Sequence, residues 1–326
     1  MTPGELSRTV LCAVRRAVDA GELSVAVPAR AVVGAPGPGG RGDYATNIAL
    51  QLARPAGQPP LRVAEILRPH LAGAEGVDDV FVTGPGFLNV SLRRSASAGL
   101  VADILRLGAM YGHSDALDGE VVELRVPREV RAAIVADALG RIVGTQGGRV
   151  EVVEVGPSEP VDLRPVPAPQ DPAPLGPDAA RWALLHPAAH DRARISADLL
   201  VQRESNPLFR VRYAHARTRA LTRNAADLGF RGEPGPTPDG AAPLTAALAD
   251  HPRVLLAAAA HRAPDRLARH LVTVADAVLA FLPGVLPRGA EKPSAAHRAR
   301  LALAEAAGTV LAGGLSLLGI DAPEHL

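Results

Sequence analysis

The run Asn206 to Leu221, NPLFRVRYAHARTRAL, constrains this chain more than any other stretch. Pro207 suits the first turn of a helix, where its fixed φ is already correct and its missing N–H is not needed. Asn206, just before it, is a strong N-cap. From Leu208 to Leu228 the chain has neither glycine nor proline. At about 100° per residue, Val211, Ala214, Thr218, Leu221 and Ala225 share one face. Arg212, His215, Arg219 and Arg223 form a stripe on another. A helix with one apolar and one cationic stripe has a core to sit on and a surface suited to a polyanion.

Charge distribution agrees with that reading. The net charge of the whole chain is only +1. Between Arg203 and Arg231, however, seven arginines face only Glu204 and Asp227. The basic character is concentrated on the helix just described, as phosphate contacts require. Arginine supplies nearly all of it, since Lys292 is the sole lysine. Aromatic residues make up 3% of the chain, so its cores are built from Leu, Val and Ala. With Cys12 as the single thiol, neither a disulfide nor a cysteine zinc site can form within the chain. The apolar runs fall short of the ~18 residues of a membrane span. Met1 to Gly4 leads straight into an amphipathic pattern, and the expectation is a cytoplasmic chain with no membrane partner.

The pattern elsewhere predicts an α+β fold in several parts. Residues 1–112 read as a compact α+β domain. It has a helix from Glu5 to Ala20, short strands at Leu23–Pro28 and Arg30–Gly34, and helices at Asp43–Arg54 and Leu61–Ala72. A strand pair, Asp79–Thr83 and Phe87–Leu92, turns at Gly84-Pro85-Gly86. Residues 113–155 read as a βαβ unit, and a parallel pair of strands alone is a poor sheet. Residues 156–177 hold eight prolines in 22 positions and read as an extended linker without a core. Residues 178–326 read as an all-α helical bundle, with helices at Leu244–Ala249, Pro252–Ala263, Pro264–Leu282 and Ser294–Leu318.

Other chemistry is weakly signalled. Gly37, Gly39 and Gly42 satisfy G-x-G-x-x-G, but the acidic residue a dinucleotide site needs about 20 positions on is replaced by Arg62. A flexible loop is the better reading. His186 and His190 are four apart, but Pro187 breaks the helix that would align them on a metal. The sequence offers no nucleophile elbow, P-loop or carboxylate pair. The expectation is no catalytic residue, no cofactor and no metal.

NPLFRVRYAHARTRAL resembles the start of the helical, DALR-type anticodon-binding domain of arginyl-tRNA synthetases, with the pattern N-P-x-[YF]-x-V-Q-Y-A-H-A-R. Asn206, Pro207, Val211, Tyr213, Ala214, His215, Ala216 and Arg217 match, and Arg212 stands where Gln is usual. The tail LAEAAGTVLAGGLSLLGIDAPEHL and the segment GPDAARWALL (Gly176 to Leu185) resemble further parts of the same family. So do GDYATNIALQLAR (Gly42 to Arg54) and GPGFLNVSL (Gly84 to Leu92), which are similar to its additional N-terminal domain. VVELRVPREVRAAIVADALGRIV (Val121 to Val143) resembles the strand and helix around the ATP-binding H-I-G-H signature, with the signature itself missing. H-x-G-H occurs nowhere, and a lysine-bearing K-M-S-K-S loop cannot be built around Lys292 alone.

The resemblance implies a catalytically inactive arginyl-tRNA synthetase relative that binds tRNA, arginine tRNA first. Its partner could be another enzyme that uses charged tRNA. Arg212, His215, Arg219 and Arg223 would meet the RNA on the helical domain. Phe87 and Asn89 would meet a D-loop base on the N-terminal domain. Leu282 and Pro283 after Phe281, and Leu326 in place of a final Met, depart from the family's anticodon contacts. Three other readings stand beside it: a protein-interaction module that has lost RNA binding, residual arginine–tRNA ligase activity, and, weakest, a nucleotide-binding oxidoreductase.

Overall fold

The computed structural model describes residues 1–326 apart from Pro38, Gly39, Arg93, Pro157 and Thr237, together with the side chains of residues 94–97. Gly39 of the glycine motif therefore lies outside the described residues. The chain divides into two compact units, Met1–Leu100 with Gly235–Ala242, and Val101–Pro234 with Pro243–Leu326.

The first unit begins with α1 (Pro3–Asp19), closed at its N-terminus by a reciprocal capping box between Thr2 and Glu5. It continues through β1 (Val33–Gly34), β2 (Tyr44–Thr46), α2 (Ile48–Ala56), α3 (Pro60–Ala72), β3 (Val77–Thr83) and β4 (Phe87–Leu92). The strands form an antiparallel sheet in the order β1-β2-β4-β3. Leu6, Val10 and Val14 of α1 and Val63, Leu67 and Leu71 of α3 bury one stripe each against Val80, Leu88 and Val90 of the sheet. Two expectations are corrected here. Leu23–Pro28 forms no strand, and Arg30–Gly34 contributes only Val33–Gly34. The helix expected from Asp43 starts at Ile48, because Tyr44–Thr46 pairs with Leu88–Val90 instead.

Helix α4 (Arg94–Leu107) leads into the second unit. There β5 (Val121–Pro127), α5 (Val130–Gly144) and β6 (Arg149–Val155) form the expected βαβ unit, with β5 and β6 parallel. The proline-rich run explains how so small a sheet persists. Asp162 donates its N–H to the carbonyl of Arg125 at 2.9 Å and accepts the N–H of Arg125 on its carboxylate at 3.1 Å. The run thus covers the free edge of β5. It also buries Leu163 and Leu175, which corrects the expectation of a segment without core contacts. Polyproline backbone brings few N–H groups, so it can lie along an edge while leaving few donors unsatisfied.

Arg131 of α5 ties this region together. Its guanidinium is fully buried and gives hydrogen bonds to the carbonyls of Leu184, Val166, Asp191, Pro187 and Ala188 at 2.7–3.0 Å. Helix α6 (Gly176–Leu185) then leads to α7 (Pro207–Asp227), α8 (Ala242–Ala260), α9 (Asp265–Phe281) and α10 (Ala295–Leu318). Helices α7, α9 and α10 pack on one another.

The two helices expected around Pro252 are one continuous α8. Pro252 has no N–H for the carbonyl of Leu248, one turn earlier. The hydroxyl of Tyr111 takes that carbonyl instead, at 3.0 Å. The expectation that every apolar run falls short of a membrane span is corrected: Asp265–Gly284 and Ala295–Leu318 are long and apolar enough by length and composition, with 44% and 67% of their most apolar stretches buried within the fold.

Candidate nucleic-acid interface

Helix α7 starts where its sequence says. The Asn206 side chain accepts the N–H groups of Leu208 and Phe209 and donates to the carbonyls of Leu199 and Val201 at 2.8 and 2.9 Å. The apolar stripe sits in the core: Val211, Ala214, Thr218, Leu221 and Ala225 are all buried.

The cationic stripe is different from its sequence reading in two ways. First, His215 does not belong to it. Its ring is 5% exposed, and Nδ1 lies 2.9 Å from the carbonyl oxygen of Pro323. A carbonyl only accepts, so Nδ1 carries the hydrogen. Burial pushes the pKa of this histidine down, with the Pro323 hydrogen bond opposing. The ring is a neutral packing element. Second, the three arginines have acidic partners from elsewhere in the fold. Arg212 meets Asp178 at 3.5 Å and Asp321 at 4.0 Å. Arg219 meets Glu324 at 3.0 Å, and Arg223 meets the same carboxylate at 3.8 Å. The scarcity of carboxylates on α7 itself could not reveal partners from Asp178, upstream of the helix, or from Asp321 and Glu324, about a hundred residues later.

Sequence reasoning passed over a second strip on α7. Phe209, Tyr213 and Arg217 follow at i, i+4 and i+8, which places them on one face. Phe209 and Tyr213 stack with centroids 5.4 Å apart and planes 20° apart. The Arg217 guanidinium lies 5.9 Å from the centroid of the Tyr213 ring. Tyr213 is 37% exposed, and Arg217 is exposed without an acidic partner among the described residues. An exposed ring beside a free guanidinium can stack an unpaired base and hold its phosphate. The i, i+4 aromatic spacing was the available signal.

Beside the stripe, α7 and α10 enclose a cleft of about 460 Å³ lined by Thr218, Arg219, Thr222, Glu305, Thr309 and Glu324, among others. Burial pushes the Glu305 carboxyl up, with a Thr222 hydrogen bond and Arg219 opposing.

In the first unit, Phe87 and Asn89 do not act as a pair. Phe87 is 40% exposed at the start of β4, available as a ring face. Asn89 is 1% exposed, and its amide donates to the Thr83 hydroxyl at 2.5 Å. Its Oδ1 is buried without a partner among the described residues. The backbone at Gly40 lies against this amide, a Cβ there coming within 2.8 Å of Asn89 Oδ1, so the buried amide presents no edge to a base. Among the described residues no group of three or more His, Cys, Asp or Glu is placed to hold a metal.

The antiparallel α+β unit and the helical bundle match domains of one class of protein, the aminoacyl-tRNA synthetases. Comparison narrows the class. Residues 5–92 match the arginyl tRNA synthetase N terminal domain, and residues 211–326 match the DALR anticodon binding domain. Together they cover more than half of the chain, which is thus of the arginyl-tRNA synthetase family by its N-terminal and DALR domains.

Among curated relatives, an arginine–tRNA ligase of Renibacterium salmoninarum is 42% identical over 163 residues, 46% of this chain and 30% of that protein. One from Frankia alni is 38% identical over 157 residues, 45% of this chain and 28% of that protein. The match thus spans less than a third of these relatives' length. Among solved structures, Thermus thermophilus arginyl-tRNA synthetase aligns with a TM-score of 0.72 at 15% identity over 100% of each chain. The Plasmodium falciparum enzyme aligns with a TM-score of 0.70 at 9% identity over 99% of each. At such identities the likeness is one of fold.

Proposed function

We propose that this protein is a catalytically inactive arginyl-tRNA synthetase relative that binds tRNA, with arginine tRNA its first candidate. The observation that carries the reading is the strip on the leading helix of an anticodon-binding-type domain in which exposed Tyr213 and Arg217 are backed by half-buried Phe209. Tyr213 and Arg217 would take an unpaired base and its phosphate. Arg219 and Arg223, each more than 40% exposed, would add backbone contacts. Phe87 would offer a ring face on the N-terminal domain. Inactivity is supported by the sequence between the two matched domains, which holds neither an H-x-G-H signature nor any lysine. Tight placement of triphosphate oxygens by such groups is what adenylate formation needs. Delivery of charged tRNA to another enzyme, in the cytoplasm, is the role this reading suggests.

The test is gel-shift titration with arginine tRNA. Binding should weaken steeply between about 50 and 200 mM salt. Tyr213→Ala with Arg217→Ala should lose roughly 5- to 160-fold, from the ~1–3 kcal/mol of one stacked base. No binding at low salt, or an unchanged double variant, sinks the reading. Arginine-dependent ATP–pyrophosphate exchange above background would overturn inactivity alone.

A second reading is favoured by the neutralised stripe. Asp178, Asp321 and Glu324 leave Arg212, Arg219 and Arg223 already paired. The bundle would then be a protein-interaction module, and copurification with a protein and no RNA would select it.

A further inference from the structure

The segment after α10 returns along the face of α7 that carries the arginines. Gly319 makes the turn in the left-handed region, at φ 72°. The left-handed backbone favours glycine there, and the Arg141 and Arg181 side chains lie against it, 2.5 and 2.6 Å from where a Cβ would stand. Ile320 is 3% exposed and anchors the returning chain. The Asp321 N–H donates to the Asp178 carboxylate at 3.2 Å. His215 then clasps the chain by donating to the Pro323 carbonyl.

Beyond that clasp the contacts change character. Glu324 Oε1 accepts the Arg219 Nε–H at 3.1 Å and lies 3.0 Å from its Nη2, while Oε2 lies 3.8 Å from an Arg223 Nη1. Arg223 reaches the Glu324 carbonyl and the His325 ring at 3.4 Å. These groups are exposed: Arg219 by 44%, Arg223 by 41% and Glu324 by 54%. The chain is therefore anchored by buried Ile320 and held part-buried at Pro323, while the contacts of Asp321 and Glu324 are solvent-screened. A carboxylate oxygen set against an arginine fork occupies donors that a phosphate would use.

We propose that residues 321–326 are a built-in competitor for the RNA face of α7, in which Asp321 and Glu324 stand in for phosphates and are displaced when RNA binds. This inference rests on the tRNA-binding reading above. It makes the stripe a gated surface. At rest its guanidiniums are neutralised, and a single phosphate does not displace the segment well. A polyanion that engages Arg219 and Arg223 together with Tyr213 and Arg217 outcompetes it, because each exposed ion pair it breaks contributes little. The segment thereby raises the threshold for weak, non-specific nucleic acid more than for a ligand that fills the whole face.

The experiment compares the full chain with Asp321→Asn/Glu324→Gln. Both changes keep side-chain shape and leave Ile320, Pro323 and His215 in place. Glu151→Gln/Glu154→Gln on β6 adds the same net charge away from α7 and serves as control. Affinity for arginine tRNA and for an unstructured RNA of equal length is measured at about 50 mM and 200 mM salt. The double variant should bind about 3- to 10-fold tighter at the lower salt, as expected for removing exposed pairs of ~0–1 kcal/mol each. The gain should be larger for the unstructured RNA and should shrink at the higher salt. Binding by the double variant alone also supports the proposal. Equal affinity of parent and variant, or an equal gain in the control, overturns the proposal and leaves tRNA binding intact. Absence of binding by all three proteins overturns tRNA binding, and this proposal with it.

Discussion

Replacing Arg131 by Met should be among the most damaging single changes in the second unit. Five hydrogen bonds run from its guanidinium to main-chain carbonyls. Bonds to a charged donor contribute ~1.5–3 kcal/mol each, so a simple sum reaches ~8–15 kcal/mol. That equals the whole stability of a typical domain and cannot be the net value. The group is fully buried, and burial pushes its pKa down, with Glu129, Asp191 and Asp265 opposing. The desolvation of the charge offsets much of the sum. What remains after removal is a set of carbonyls without a donor, and breaking such buried charged contacts costs ~3–5 kcal/mol. Met fills most of the volume, so the loss is polar and not a cavity. In urea, with a slope of ~2–3 kcal/mol/M for a unit of this size, the midpoint should fall by about 1–2.5 M. Arg131→Lys should recover only part of this, since an ammonium has three donors and cannot reach five carbonyls. A midpoint for Arg131→Met within about 0.3 M of the parent, at unchanged slope, would refute the reasoning.

Two further outcomes follow from the packing. His251 and His270 are buried with ring centroids 5.3 Å apart, and burial pushes their pKa values down to about 3 and about 4. The unfolded chain takes up these protons below pH ~6.5, where the folded chain does not, so stability is complete above that pH and falls as pH drops towards 4. The fall should approach ~1.4 kcal/mol per pH unit for each histidine, and His270→Gln should remove one such contribution from the slope in urea titrations between pH 6 and 4.5. Two glycines should respond in opposite directions. A Cβ at Gly232 would lie 2.9 Å from the main-chain nitrogen of Ala302, whereas one at Gly313 meets nothing within 4 Å. Gly232→Ala should cost ~1–3 kcal/mol, and Gly313→Ala should be neutral or gain up to ~1 kcal/mol by thermal unfolding.

The sequence by itself determined what depends on near neighbours. Asn206-Pro207 started α7, the 3.6-residue period chose its buried stripe, and Gly84-Pro85-Gly86 joined β3 to β4. These are local choices, made by residues a few positions apart. Family motifs carried the N-terminal and DALR domains for the same reason, as contiguous strings.

Tertiary structure decided everything set by partners distant in sequence. The Pro252 break vanished because Tyr111 supplied the donor that proline lacks. The proline-rich run became the cover of a two-stranded sheet because Arg125 had an open edge. His215 left the cationic stripe, and the arginines lost their freedom, because the chain after α10 comes back across α7. Asn89 became buried because the chain at Gly40, far from it in sequence, lies against its amide. Helical periodicity says which side chains share a face. It cannot say what lies against that face, because burial and charge pairing depend on chain that arrives from far away in sequence.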